Sequence, residues 1–157
     1  MRQYLAAGLA VAAAGLAVAA GLLAVAFQHS AATARQRAAV LAAARREAVG
    51  LTTLSRRTGA RDYAALLAGT AGSLRQQLAQ GRGSFLSTLR SADVSSAGTV
   101  LDAGLVTMNS RVATVLLDVR ATVRTKHTYA PETRLYHWQA GLVFSGGRWL
   151  VTSLEFL

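Results

Sequence analysis

The pattern of apolar positions along this chain passes through three regimes. From Leu5 to Phe27 the residues are apolar without a break, with no charged or polar side chain. At ~1.5 Å rise per residue this run makes a helix of roughly 35 Å, enough to cross a hydrocarbon core of about 30 Å. A soluble domain would have to bury such an all-round apolar helix completely. The rest of the chain is one domain's worth of sequence. The expectation is a transmembrane helix at 5–27 behind a short stub at 1–4. The alternative is a cleaved signal sequence. Ala24-Val25-Ala26 and Ala32-Thr33-Ala34 both fit the small-x-small cleavage pattern, although a signal h-region usually holds about 7–15 residues.

The second regime has helical spacing. Leu41, Ala44, Ala48, Leu51 and Ser55 recur at steps of three and four, an apolar seam along a basic juxtamembrane helix placed at 28–58. The seam serves packing on its own domain or a partner helix, and Leu41 and Leu51 are its larger members. Gly59 is the expected C-terminal cap. Asp62 is expected to cap a short helix from Tyr63 to Ala68, and Thr70 a second one carrying Leu74, Leu78, Phe85, Leu86 and Leu89. Gly81-Arg82-Gly83 predicts a kink or break within it.

The third regime alternates. Val115, Leu117, Val119, Ala121 and Val123 point one way, and Leu116, Asp118, Arg120, Thr122 and Arg124 the other, which is a half-buried strand. Strands are also predicted at 98–108, 135–144 and 148–156, with turns at Asn109-Ser110 and Ser145-Gly146-Gly147. In the last strand, strict alternation sets Trp149, Val151, Ser153 and Glu155 opposite Leu150, Thr152, Leu154 and Phe156. Helices followed by a four-stranded antiparallel meander make an α+β domain over 59–157, with the helices covering one face of the sheet.

Charge and composition sharpen this layout. The formal net charge is +10, and every basic residue except Lys126 is arginine. Absence of cysteine excludes disulfides, thiolate metal sites and cysteine nucleophiles. Arg35, Arg37, Arg45 and Arg46 follow the apolar run closely. They are candidates for contact with anionic membrane lipids, worth about 1 kcal/mol each near the surface, or they form a solvated helix face. Aromatic residues are not interleaved among them, so nucleic acid is not the expected partner. The positive-inside count alone would put the domain in the cytoplasm, although long domains often translocate despite such charges.

The C-terminal segment Ser145-Gly146-Gly147-Arg148-Trp149-Leu150-Val151-Thr152-Ser153-Leu154-Glu155-Phe156 resembles the terminal signature of actinobacterial Mce-associated membrane proteins, which accompany mammalian-cell-entry (Mce) lipid-import systems. The N-terminal anchor, the Arg- and Ala-rich helix, Asp62-Tyr63, Gly83-Ser84-Phe85 and the strand start Gly98-Thr99-Val100 fit the same layout. Gly-Gly-Arg-Trp before a final strand also occurs across the nuclear-transport-factor-2-like cone-shaped domains. The resemblance implies a cone-shaped domain on a single-pass anchor in the cell membrane, with the stub at 1–4 in the cytoplasm. The domain would lie outside the cytoplasm and support assembly or stability of an Mce-type lipid-import complex without enzymatic activity. Its implied partners are membrane lipids and transporter subunits.

Candidate chemistry is sparse. His137 could face the cone pocket beside Tyr136 and Trp138 as a general base, or be an ordinary structural histidine. No second histidine stands at metal spacing, and neither a Gly-x-Ser-x-Gly nor a phosphate-binding loop occurs. No catalytic residue, cofactor or metal is expected. Trp138 and Trp149 are assigned to packing or partner binding. Two other readings stay open: a lipid or sterol carrier with an apolar cone pocket, and a membrane-anchored enzyme.

Overall fold

The computed structural model describes residues 31–125 and 130–157. It divides into two units, Met1–Gln36 and Arg37–Leu157. In the first unit only residues 31–36 are described, and they are helical and exposed. The expected anchor at 5–27 lies outside the described residues. Among the described residues, no helix is long and apolar enough to cross a membrane.

Helical residues run from 31 to 52 (α1). From Val40 onward one stripe is buried: Val40, Ala43, Ala44, Glu47, Ala48 and Thr52, a spacing of three and four. Leu41 and Leu51 flank it, half-buried against the core. The expected helix over 28–58 therefore stops earlier than the sequence suggests, and Leu54–Ser55 is a strand, β1. Two residues are too few for alternation to register, which is why four strands were expected and five are found.

The helices α2 (Gly59–Gly69) and α3 (Gly72–Ser91) follow. Gly59 opens α2 where a cap of the preceding helix was expected. A Cβ there would collide with Leu89 of α3, so its missing side chain lets the two helices meet. Thr58 is the N-cap, and Asp62 lies in the first turn, where its charge complements the helix dipole. Thr70 does not cap α3. It forms a parallel bridge to Val151, and the next amide, Ala71 N–H, donates to Val151 O at 2.8 Å. That junction ties both helices to the last strand. The expected break at Gly81-Arg82-Gly83 does not occur, and α3 runs through it. Gly81 and Gly83 are both exposed, so here the glycines cost propensity without forcing a turn.

The sheet order is β1-β2-β3-β4-β5, antiparallel throughout, with β2 at Ser95–Met108, β3 at Val112–Arg124, β4 at Glu132–Ser145 and β5 at Arg148–Phe156. β3 shows the expected alternation, with Val115, Leu117, Val119 and Ala121 buried. The side chain of Asn109 accepts from Arg111 N–H and Val112 N–H, both at 2.8 Å, and closes the β2–β3 turn. Gly146 and Gly147 have φ of 58° and 77°, the left-handed pair that a two-residue hairpin requires.

Two strands depart from simple alternation because they are bulged. In β5 the register skips Thr152, pairing Val151 with Leu142 and Ser153 with Gly141. The phase flips there, so Leu154 and Phe156 join Trp149 and Val151 on the core side. In β2 the register skips Leu101 and Val106, leaving both exposed. The core joins the α1 stripe to the inner face of the sheet: Ala113, Val115, Leu117, Val119, Trp138, Ala140, Leu142, Trp149 and Val151. Complete burial of each larger aliphatic side chain stabilises by about 1.5–3 kcal/mol.

Candidate functional site

Two concavities lie between the helices and the inner face of the sheet. The first, about 440 Å³, is the mouth of the cone. Leu51, Leu54, Leu74, Val123, Tyr136, Trp138, Leu154 and Phe156 are among its walls, and they are almost entirely apolar. The aromatic rings pack on one another: Trp138 lies 5.6 Å from Tyr136 and meets Phe156 edge-on at 5.8 Å. Trp138 is 5% exposed, and its indole N–H has no acceptor among the described residues. An orphaned buried donor costs about 1–3 kcal/mol.

His137 does not share this cavity. Adjacent strand residues point to opposite faces, so with Trp138 inside, His137 projects outward. There it pairs across the strands with Asp118, Nδ1 to Oδ1 2.7 Å, both side chains more than half exposed. An exposed pair of this kind contributes about 0–1 kcal/mol. The expectation that His137 could serve as a base in the cone pocket is therefore corrected. Among the described residues, no cluster of three or more His, Asp or Glu could hold a metal ion.

The second concavity, about 760 Å³, opens between α1, α2 and β5. Val49, Leu66, Trp149 and Leu150 form its apolar walls, and Arg46, Arg61 and Arg148 bring three guanidinium groups. Arg61 is occupied by Asp62, with two hydrogen bonds at 3.1–3.2 Å. The hydrogen bond from Thr58, then Arg61, holds the Asp62 carboxyl below its ordinary range. Glu47 is the unexpected member. It is 4% exposed and packs on Gly69, where any side chain would collide with the carboxylate. Its nearest cation is Arg46, Nε to Oε1 3.8 Å. Burial pushes the Glu47 carboxyl up to about 7, against the opposing pull of Arg46 and Arg148.

The candidate residues are thus spread over the domain. Arg35, Arg37, Arg45 and Arg46 are all exposed on α1, and only Arg46 borders a cavity. Leu51 and Trp138 line the cone mouth, Trp149 lines the second concavity, and Leu41 packs on the core. Glu47 was missed. The signal was its place between Ala44 and Ala48, which puts a carboxylate on the buried stripe. The outer face of the sheet exposes Val112, Leu116 and Leu135 beside the bulged Leu101 and Val106.

The family model described as "Uncharacterized protein Rv1363c/MT1408-like" matches residues 4–157, and the chain belongs to that family. No curated protein matches it in sequence. Among solved structures, the fold is similar to an IcmL-like type IV secretion system protein from Legionella pneumophila. The TM-score is 0.61 at 12% identity, covering 77% of this chain and 91% of that one. The periplasmic domain of DotI gives 0.61 at 11% identity, covering 76% and 94%. CagV, a VirB8 homolog from Helicobacter pylori, gives 0.59 at 12% identity, covering 76% and 96%. At such identities the likeness is one of fold: an α+β cone with a curled five-stranded antiparallel sheet.

Proposed function

We propose that this protein is a non-enzymatic accessory subunit of a membrane complex, anchored by residues 5–27 with its cone domain outside the cytoplasm. The observation that carries the reading is the fold. Whole domains of secretion-system proteins, one described as periplasmic, superpose on three quarters of this chain. The exposed apolar residues on the outer sheet face and the basic face of α1 supply surfaces for protein partners and anionic headgroups. The complex is an Mce-type lipid importer on the strength of the C-terminal hairpin, Gly146-Gly147-Arg148-Trp149, and the family layout described above. Tagging the C-terminus and purifying from solubilised membranes tests this. Transporter subunits should co-purify at constant stoichiometry, and recovery of the chain without them would refute the assignment.

The apolar cone mouth supports a second reading, carriage of a lipid or sterol. Extraction of the purified chain with organic solvent, followed by mass spectrometry, distinguishes the two. A stoichiometric bound lipid favours carriage, and an empty domain favours the accessory role alone.

A further inference from the structure

The cavity between α1, α2 and β5 is distinct from the surfaces assigned to assembly, the outer sheet face and the basic face of α1. Its polar groups do not satisfy one another. Among the described residues, no side-chain donor is hydrogen-bonded to the Glu47 carboxylate, whose oxygens open on the cavity with Arg46 as a loose ion pair at 3.8 Å. Asp62 takes up Arg61, whereas Arg148, on the β5 side, has no ion-pair partner among the described residues. A largely buried acid without a protein donor is neutral, hydrated through the cavity or held by a ligand. The charged groups facing Glu47 are Arg46 from its own helix, Arg148 from β5, and the mutually paired Arg61 and Asp62 from α2.

The sign of the missing ligand follows. A cation would pair with Glu47 but would sit beside two guanidinium groups, Arg46, already loosely paired with that carboxylate, and Arg148. An oxyanion would engage both arginines, provided the Glu47 carboxyl is protonated and donates its O–H. The walls beside this head site are Val49, Leu66 and Trp149, which suit an alkyl chain.

We propose that this cavity binds an amphiphile with an oxyanion head. The head is held by Arg46, Arg148 and the O–H of Glu47, and the chain lies along Val49, Leu66 and Trp149. Binding is strongest where Glu47 keeps its proton, and weakens as that proton is lost and the carboxylate repels the head. The same head chemistry occurs on free fatty acids and on bilayer lipids.

The test uses the full chain in phosphatidylcholine nanodiscs, titrated with decanesulfonate, whose charge does not change with pH, and followed by tryptophan fluorescence against empty discs. Saturable binding should weaken about tenfold between about pH 6 and pH 8. In Glu47→Gln, which keeps the shape and a donor, that pH dependence should fall below about twofold. In Arg148→Gln, an exposed position that does not endanger folding, affinity at about pH 6 should drop about tenfold. Laurate should compete. Displacement by phosphatidylglycerol in the discs assigns the bilayer as the source, and persistence of binding assigns the free amphiphile. The proposal is overturned by tighter binding of dodecyltrimethylammonium than of decanesulfonate, by affinity that rises with pH, by an unaffected Arg148→Gln, or by the absence of saturable binding.

Discussion

Replacing Glu47 by glutamine removes one ionisable group from the buried stripe of α1 and keeps its size. Burial holds the native carboxyl at about 7 against an ordinary 4.5. At about 1.36 kcal/mol per pH unit, that difference corresponds to roughly 3 kcal/mol. The native state binds the proton more tightly than the unfolded chain does. Its contribution is therefore complete below about pH 4.5, declines as pH rises, and is gone once pH passes about 7. The partial positive character of the site, from Arg46 and Arg148, reduces the effect without reversing it. Asp62 works in the opposite sense, because its lowered carboxyl contributes stability that is lost only as pH falls below its ordinary 3.8. It titrates outside the window. Urea unfolding of the full chain in mild detergent, across about pH 4.5 to 8, should show the wild type losing roughly 3 kcal/mol relative to Glu47→Gln. Parallel curves for the two proteins, or a wild type that gains on the variant with rising pH, would refute the burial argument.

Other outcomes follow from the packing. Trp149→Ala should cost about 3–5 kcal/mol, because a buried ring against Phe144 is removed from the core; a loss under about 1 kcal/mol in urea unfolding would contradict this. Trp138→Phe should be nearly neutral, within about 1 kcal/mol, because lost area is offset by removing an orphaned N–H; thermal unfolding measures it. Gly98→Ala should cost about 1–3 kcal/mol by forcing Thr52 off the start of β2, and a stability equal to wild type would show that the seat of Thr52 is loose. His137→Ala should change stability by less than about 0.5 kcal/mol and leave assembly intact, since its pair with Asp118 is solvent-exposed.

What could be read from the sequence was whatever repeated over many residues. β3 alternates for its whole length, and its inner face follows from that pattern, while its neighbours follow from the short connections at either end. The hairpin at Gly146-Gly147 followed from turn chemistry. What escaped were events of one or two residues. β1 is too short to carry a period. A single skipped residue at Thr152 turned Leu154 and Phe156 to the inner face, where Leu154 packs on the core and Phe156 lines the cone mouth, and two more exposed Leu101 and Val106, because a bulge moves every later side chain to the other face. Gly81 and Gly83 looked like a break because propensity is local, while α3 is held by contacts made elsewhere along it. Tyr63 of α2, for example, donates to Leu78 O at 2.6 Å and packs on Phe85. Of the candidate sites, the aromatic cone mouth could be anticipated from Trp138. The Glu47 cavity could not, since it needs α1, α2 and β5 brought together.

The proposed role requires that residues 5–27 hold the domain at the outer surface of a membrane. Paired C-terminal fusions measure this most directly, one to alkaline phosphatase, active only outside the cytoplasm, and one to green fluorescent protein, which fluoresces when kept in the cytoplasm and stays dark when exported through the general secretory route. The account predicts phosphatase activity in the membrane fraction and no fluorescence. Fluorescence without phosphatase activity, or a fusion recovered in the aqueous fraction, would contradict it.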